Sequence, residues 1–88
     1  MIRAFTENGW EDYLFWEKEK RKTIDRINEL LKDIERNGAA KGKGRPEPLH
    51  GDLSGYFSRR INEKDRLIYR VSDDKIIILS CHYHFSDH

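Results

Sequence analysis

The chain has 88 residues, of which 38% are charged, 36% hydrophobic and 11% aromatic, with a formal net charge of +1. That size allows one domain with one small core burying roughly 60% of the unfolded surface, and the aromatic content sets the chain apart from disordered sequences. The longest aliphatic run, residues 76–79, falls far short of the roughly 20 residues of a membrane span; a single cysteine, Cys81, excludes an internal disulfide, and the N-terminus has no long apolar run or small-residue cleavage motif, so the cytoplasm is the expected compartment, without membrane contact.

Residues 2–5 are short and partly apolar, which predicts a first strand, and Thr6 followed by Glu7 reads as a helix start with an acidic first turn. A first helix is expected over residues 7–20, its Trp10, Tyr13 and Leu14 at helical spacing and its Phe15 and Trp16 widening a stripe that faces the core. In the second helix Ile24, Ile27, Leu30, Leu31 and Ile34 recur every three or four residues with charge on the opposite face, until Asn37 and Gly38 stop it. The two helices make an antiparallel hairpin. Residues 39–52 have no period but carry Gly42, Gly44, Pro46, Pro48 and Gly51, and read as an ordered loop of unusual length. Residues 53–61, 66–71 and 75–85 alternate as three strands, with Ser72, Asp73 and Asp74 turning between the last two. The predicted fold is α+β: one domain over residues 1–88, with a small antiparallel sheet of the first strand plus three C-terminal strands and the helical hairpin packed on one face.

Charge is unevenly spread. Residues 1–40 hold eight Lys/Arg against nine Asp/Glu, residues 41–70 eight against four, and residues 71–88 one against three. The basic middle attracts polyanions, and it surrounds one carboxylate, Glu47, braced between Pro46 with its fixed φ and Pro48, which drives the preceding residue to extended geometry. Lys41, Lys43 and Arg45 favour the ionised form of such a carboxylate, and that form abstracts protons.

Strand parity sorts the arginines. Arg66 and Arg70 oppose Leu67, Tyr69 and Val71 and so face away from the helices, and Arg60 shares a face with Tyr56 and Ser58, whereas Arg59 shares one with Phe57 and Ile61. Arg60 is therefore the better phosphate ligand. His82 and His84 fall on one side of the last strand with Cys81 on the other, too few ligands for zinc, and no metal site is expected. His84, with an ordinary pKa of roughly 6.5, is a candidate proton donor. A two-residue Asp73-Asp74 turn pairs Arg66 with Cys81 and sets Arg66 on the face opposite His84, so both can line one site only if the connection has odd length or contains a bulge. Base, cation and acid together read as cleavage of RNA.

Six segments resemble the YoeB toxins of the RelE/ParE superfamily, the mRNA-cleaving halves of bacterial type II toxin-antitoxin pairs: WEDYLFW (10–16), INELLKD (27–33), GKGRPEPL (42–49), LSGYFSRRI (53–61), DRLIYRV (65–71) and the closing CHYHF (81–85). The resemblance implies a ribosome-dependent endoribonuclease that cuts mRNA in the A site through its own 2′-hydroxyl, with Glu47 as general base, Arg66 as charge stabiliser and His84 as general acid, and with no metal or organic cofactor. Lys43, Arg45, His50, Arg60 and Phe85 are the candidate substrate contacts. His50 stands where relatives carry Lys, and Phe85 where they carry Tyr. Implied partners are a cognate YefM-like antitoxin, the 70S ribosome with its mRNA, and a second copy in a homodimer. The alternative reading is a noncatalytic toxin or binding module on the same scaffold, either a topoisomerase inhibitor or a nucleic-acid-binding regulator, which would not need Glu47, Arg66 and His84 together.

Overall fold

In chain order the elements are β1 (Ile2–Phe5), α1 (Glu7–Glu19), α2 (Arg21–Asn37), β2 (Glu47–Pro48), a 3₁₀ turn (Gly51–Leu53), β3 (Phe57–Arg60), β4 (Arg66–Ser72) and β5 (Lys75–Ser80). The computed structural model describes residues 1–82. The strands form one five-stranded sheet in the order β1-β5-β4-β3-β2. The expected α+β class, with helices on one face of a sheet, is the one observed, and the sheet is mixed. β1 runs parallel to β5, while β2–β3, β3–β4 and β4–β5 are antiparallel. Alternation in a sequence carries no information about strand direction, and β2, two residues long and beginning after Pro46, has no period to read. Residues 53–56, expected as strand, are instead turn and 3₁₀ backbone that delivers the chain to a shorter β3.

Thr6 caps α1 as its sequence position predicts, its Oγ1 accepting from Gly9 N at 3.0 Å. The same hydroxyl donates to Leu79 O at 2.9 Å, fixing the helix start to the end of β5. The stripe expected to face the core does not all do so. Trp16 is buried, whereas Trp10, Leu14 and Phe15 are 46%, 41% and 41% exposed. The reason is Gly9. A Cβ there would collide with Ile78 O, so the helix turns its Gly9–Trp16 edge against β5, and the aromatics around Trp10 pack on one another instead. Trp10 stacks on Tyr13 at 5.9 Å, and both meet Phe5 edge-on.

In α2 the predicted stripe forms the core. Ile24, Ile27, Leu30, Leu31 and Ile34 are each at most 5% exposed and pack with Leu67, Tyr69, Ile76 and Ile78 of the sheet. Each such side chain contributes roughly 1.5–3 kcal/mol on burial. Gly38 ends the helix at φ 90°, its N–H donating to Ile34 O at 2.8 Å.

Between α2 and the sheet lies a charge. Arg59 is fully buried at a core-facing position of β3, opposite Leu67, and all five of its guanidinium N–H donors are used. Nη1 donates to Asp33 Oδ2 at 2.6 Å and Lys43 O at 2.9 Å, Nη2 to Gly38 O at 2.8 Å and Lys41 O at 2.6 Å, and Nε to Tyr69 Oη at 2.8 Å. Asp33 is satisfied in turn by Lys43 N at 2.9 Å and Asn37 Nδ2 at 2.9 Å, and Tyr69 Oη donates to Ala39 O at 2.6 Å. The long loop is thus held from beneath, carbonyl by carbonyl.

The turn between β4 and β5 has two residues, Ser72 pairing with Lys75, but the register slips between Ile68 and Tyr69: Tyr69 faces Ile78, and Ile68 faces Ser80. Such a bulge is what a shared site for Arg66 and His84 calls for, and His84 itself lies outside the described residues. The slip moves Ser80 onto the face of Ile68 and lets Cys81, buried, return to the core cluster. The strand ends at Ser80, so alternation does not carry on to His82, whose ring packs on α1.

Truncating Arg59 or Asp33 to Ala strands a buried charge, so either variant should lose about 3–5 kcal/mol of unfolding free energy in urea titrations. The Asp33 carboxyl is held below the usual carboxylate range, first by the Arg59 hydrogen bond and then by Lys43 N–H, with burial opposing. A depressed carboxylate stabilises the fold above its unfolded value and loses that contribution as pH falls through the depressed one. Below about pH 4 the native chain should therefore lose stability more steeply than Asp33→Asn, as read by thermal melts at stepped pH.

Candidate functional site

Cross-strand partners share a face, so the register assembles the surface away from the helices. Glu47 pairs with Ser58, Ser58 with Ile68 and Ile68 with Ser80, one row across four strands. The next row holds Arg60 opposite Arg66. Arg70 lies on the same face, its guanidinium 5.8 Å from the Tyr56 ring. Strands lie about 4.8 Å apart and residues rise about 3.4 Å along them, so Glu47 and Arg66, two strands and one row apart, stand roughly 12 Å from each other between backbones.

Glu47 is exposed, but its backbone is fixed. The loop beneath it is gripped by Arg59 through Lys41 O and Lys43 O, Gly44 O accepts from Arg60 N at 2.7 Å, and Leu49 N donates to Tyr56 O at 2.8 Å. Arg45 sits in the left-handed region at φ 53° although it precedes a proline, which ordinarily demands extended backbone. Such a conformation costs of order 1–3 kcal/mol and persists only where its surroundings dictate it, as the contacts on either side do here.

Arg66 is half-buried at the start of β4. Its Nη1 donates to the carbonyls of Asn62 at 2.8 Å, Glu63 at 3.2 Å and Asp65 at 3.1 Å, which orients the guanidinium, and among the described residues Nε and Nη2 have no hydrogen-bond partner. Asn62 Oδ1 shapes that turn by accepting from Lys64 N and Asp65 N, both at 2.8 Å.

The remaining predicted residues are scattered about this centre. Arg60, Arg45 and His50 are exposed, Arg60 on the shared face and the other two on the loop flanking β2. Lys43 points the other way: its Nζ meets Glu29 Oε2 of α2 at 2.8 Å, and that contact holds the Glu29 carboxyl below its usual range. His84 and Phe85 lie outside the described residues. Among the described residues no three or more His, Cys, Asp or Glu side chains gather to hold a metal ion, and no helix is long and apolar enough to cross a membrane.

The roles of Arg59, Asp33 and Asp12 are not among those the sequence alone assigns. Arg59 and Asp33 form the support described above; the available signal was a pair of opposite charges at core positions, Asp33 three residues after Leu30 on the apolar stripe and Arg59 between Phe57 and Ile61. Asp12 accepts Cys81 N–H at 3.0 Å where β5 ends.

A model of the YoeB-like toxins of bacterial type II toxin-antitoxin systems matches residues 5–85. The chain is 52% identical over 82 residues to a toxin YoeB of Streptomyces coelicolor, covering 93% of this chain and 96% of that one. It superimposes on the toxin of a heterotetrameric YoeB–YefM toxin-antitoxin complex from Staphylococcus aureus with a TM-score of 0.91 at 47% identity, covering 97% and 98% of the two chains. It matches a YoeB dimer from the same organism with a TM-score of 0.92, at the same identity and coverage.

Gly44 tests the loop support directly. At φ 80° and with an added Cβ only 3.0 Å from Leu30 Cδ2 and 3.1 Å from Arg59 Cβ, Gly44→Ala must push the loop off its base. The expected result is loss of hydrogen-exchange protection at Arg60 N–H while the amides pairing β4 with β5 stay protected.

Proposed function

This chain belongs to the YoeB-like toxins of bacterial type II toxin-antitoxin systems, and on that footing we propose that it is a ribosome-dependent endoribonuclease that cuts mRNA in the A site and so stops translation. The observation that carries the proposal is the Arg60–Arg66 cross-strand pair on the face that also bears Glu47. Like charges directly opposite on a sheet repel. A phosphodiester between them turns that repulsion into attraction, and an adjacent carboxylate, which would otherwise weaken phosphate binding, then has a use as a base.

In this reading Glu47 takes the proton of the 2′-hydroxyl, whose oxygen attacks the neighbouring phosphorus. Arg66, through the donors its backbone contacts leave unused, stabilises the charge on the non-bridging oxygens. His84 gives a proton to the 5′-oxygen as the P–O5′ bond breaks, leaving a 2′,3′-cyclic phosphate and a free 5′-hydroxyl. Arg45, His50 and Arg60 hold flanking phosphates, Phe85 stacks on a base, and Lys43, engaged with Glu29, contributes to the field of the patch. Acid and base each supply about 10²- to 10⁴-fold, and alignment by the ribosome supplies up to roughly 7–11 kcal/mol more. A YefM-like antitoxin and a second copy of the chain are the proposed protein partners in the cytoplasm, by analogy with the Staphylococcus aureus complex and dimer.

Primer extension on ribosomes programmed with a defined message tests the reading. Cleavage by Glu47→Gln should fall by at least about 10²-fold while ribosome association persists, and a message with a 2′-deoxy sugar at the scissile position should stay intact. Undiminished cutting by Glu47→Gln, or cutting of the deoxy message, would overturn it.

A further inference from the structure

Beside the turn that presents Arg66, a cleft of about 270 Å³ opens between the start of α2 and the end of β3. Lys20, Lys22, Thr23, Arg26, Ile61 and Asn62 line it. Three of these are cations and none is a carboxylate, although residues 1–40 as a whole are net acidic. Lys20 and Lys22 are exposed and form no ion pair among the described residues. Arg26 meets Glu29 Oε1 at 3.3 Å with Nη1 and donates to Arg60 O at 3.2 Å with Nη2.

Two features leave this cleft short of an anion. The first is electrostatic: Lys20 stands at the head of α2 with no side-chain capping bond, and the first turn holds no acidic residue. Cations therefore crowd the end at which the helix dipole is already positive. The second is Thr23, which is only 6% exposed and whose hydroxyl makes no hydrogen bond among the described residues. That hydroxyl is not sealed in the interior, since Ser80 Oγ is the sole buried side-chain polar atom without a partner among the described residues. What stays accessible of Thr23 opens on the cleft, so a donor there lacks an acceptor.

The cleft is continuous with the cationic row of the sheet. Arg60 gives its carbonyl to Arg26 and stands opposite Arg66 in the ladder. Asn62 gives its carbonyl to Arg66 Nη1 at 2.8 Å and lines the cleft itself. Its Oδ1 accepts from Lys64 N and Asp65 N, which leaves the Nδ2 donors without an acceptor among the described residues. A chain of phosphates that leaves the row over the rim at Asn62 meets the cleft next.

We propose that this cleft is a second phosphate-binding subsite, holding the single-stranded message beside the bond to be cut. Lys20 and Lys22 each neutralise a backbone phosphate, and Thr23 Oγ1 donates to a phosphate oxygen. The inference rests on the reading of the chain as an enzyme that cuts RNA. The message is favoured over ribosomal RNA as the occupant because the cleft shares Arg60 and Asn62 with the row assigned to the scissile phosphate.

Salt titration counts such contacts, because log K falls against log salt by about 0.7 for each phosphate neutralised on a single strand. Binding of a fluorescent oligouridylate long enough to cover row and cleft is followed by anisotropy, in a Glu47→Gln background that prevents cutting. Lys20→Ala together with Lys22→Ala should flatten the slope by about 1.4. Lys18→Ala together with Lys32→Ala removes the same charge from exposed positions outside the cleft and should leave the slope unchanged. Thr23→Val, matched in shape, should weaken binding about tenfold at an unaltered slope. Equal flattening by both lysine pairs, no flattening by the first, or wild-type affinity of Thr23→Val overturns the subsite. A parallel arm uses ribosomes that carry no message: if the Lys20 and Lys22 changes weaken association there and leave the single strand untouched, the occupant is ribosomal RNA and the proposal fails. Cleavage of a programmed message by the unaltered chain separates this inference from the one it rests on. A chain that cuts while the slope is unmoved loses the cleft alone, and one that binds through the cleft without cutting loses the nuclease reading alone.

Discussion

The pairing of Arg59 with Asp33 is the constraint on which the rest of the structure depends. A guanidinium without water must satisfy every donor or be expelled. Here two of the partners are groups that themselves need placing, the carbonyls of Lys41 and Lys43 at the base of a loop with no hydrogen-bonded ladder of its own. Core formation and loop formation are therefore one event. Leu30 and Leu67 bury the pair, the pair orders the loop, and the loop carries Glu47 to the sheet edge with its conformation already chosen.

The second device is a single irregularity in the ladder. Without the slip between Ile68 and Tyr69, alternation would put Leu79 beside Ile68 and turn Cys81 out of the core. With it, the chain beyond the sheet starts from the side that bears Arg66, and α1 takes over guidance from the strand. Gly9 makes that handover possible, since only a helix that approaches β5 without a side chain brings Asp12 and Trp16 within reach of Cys81. The aromatic stripe of α1 is left half in water as a result.

Much of this was legible in the residues. The α2 stripe, the Gly38 stop, the Thr6 cap and the facing of Arg60, Arg66 and Arg70 follow from periods of 3.6 and 2, which the chain obeys wherever one face is buried. Parity also showed that Arg66 and His84 could share a face only if the β4–β5 connection were of odd length or bulged, and a bulge is present. The pairing of β1 with β5 could not be deduced, because it joins residues more than seventy positions apart and strand direction leaves no mark on composition. The outward turn of Trp10 and Leu14 was also hidden: their spacing is that of a core stripe, and only the contact of Gly9 with β5 decides which edge goes in. Arg59 was read correctly as facing inward, yet its role as a hub depended on recognising that Asp33, on another element, faced the same space.

The prolines that brace Glu47 have another effect. β2 is the outer margin of the sheet, where a longer strand would offer a row of unpaired amide groups to any extended chain. Pro46 and Pro48 have no N–H to offer, and two residues are too few to template an addition. An extended peptide meeting this border finds too little strand to prolong, so the sheet stops growing at β2 and its pleated face, with Arg60, Arg66 and Arg70, stays the broad surface on this side.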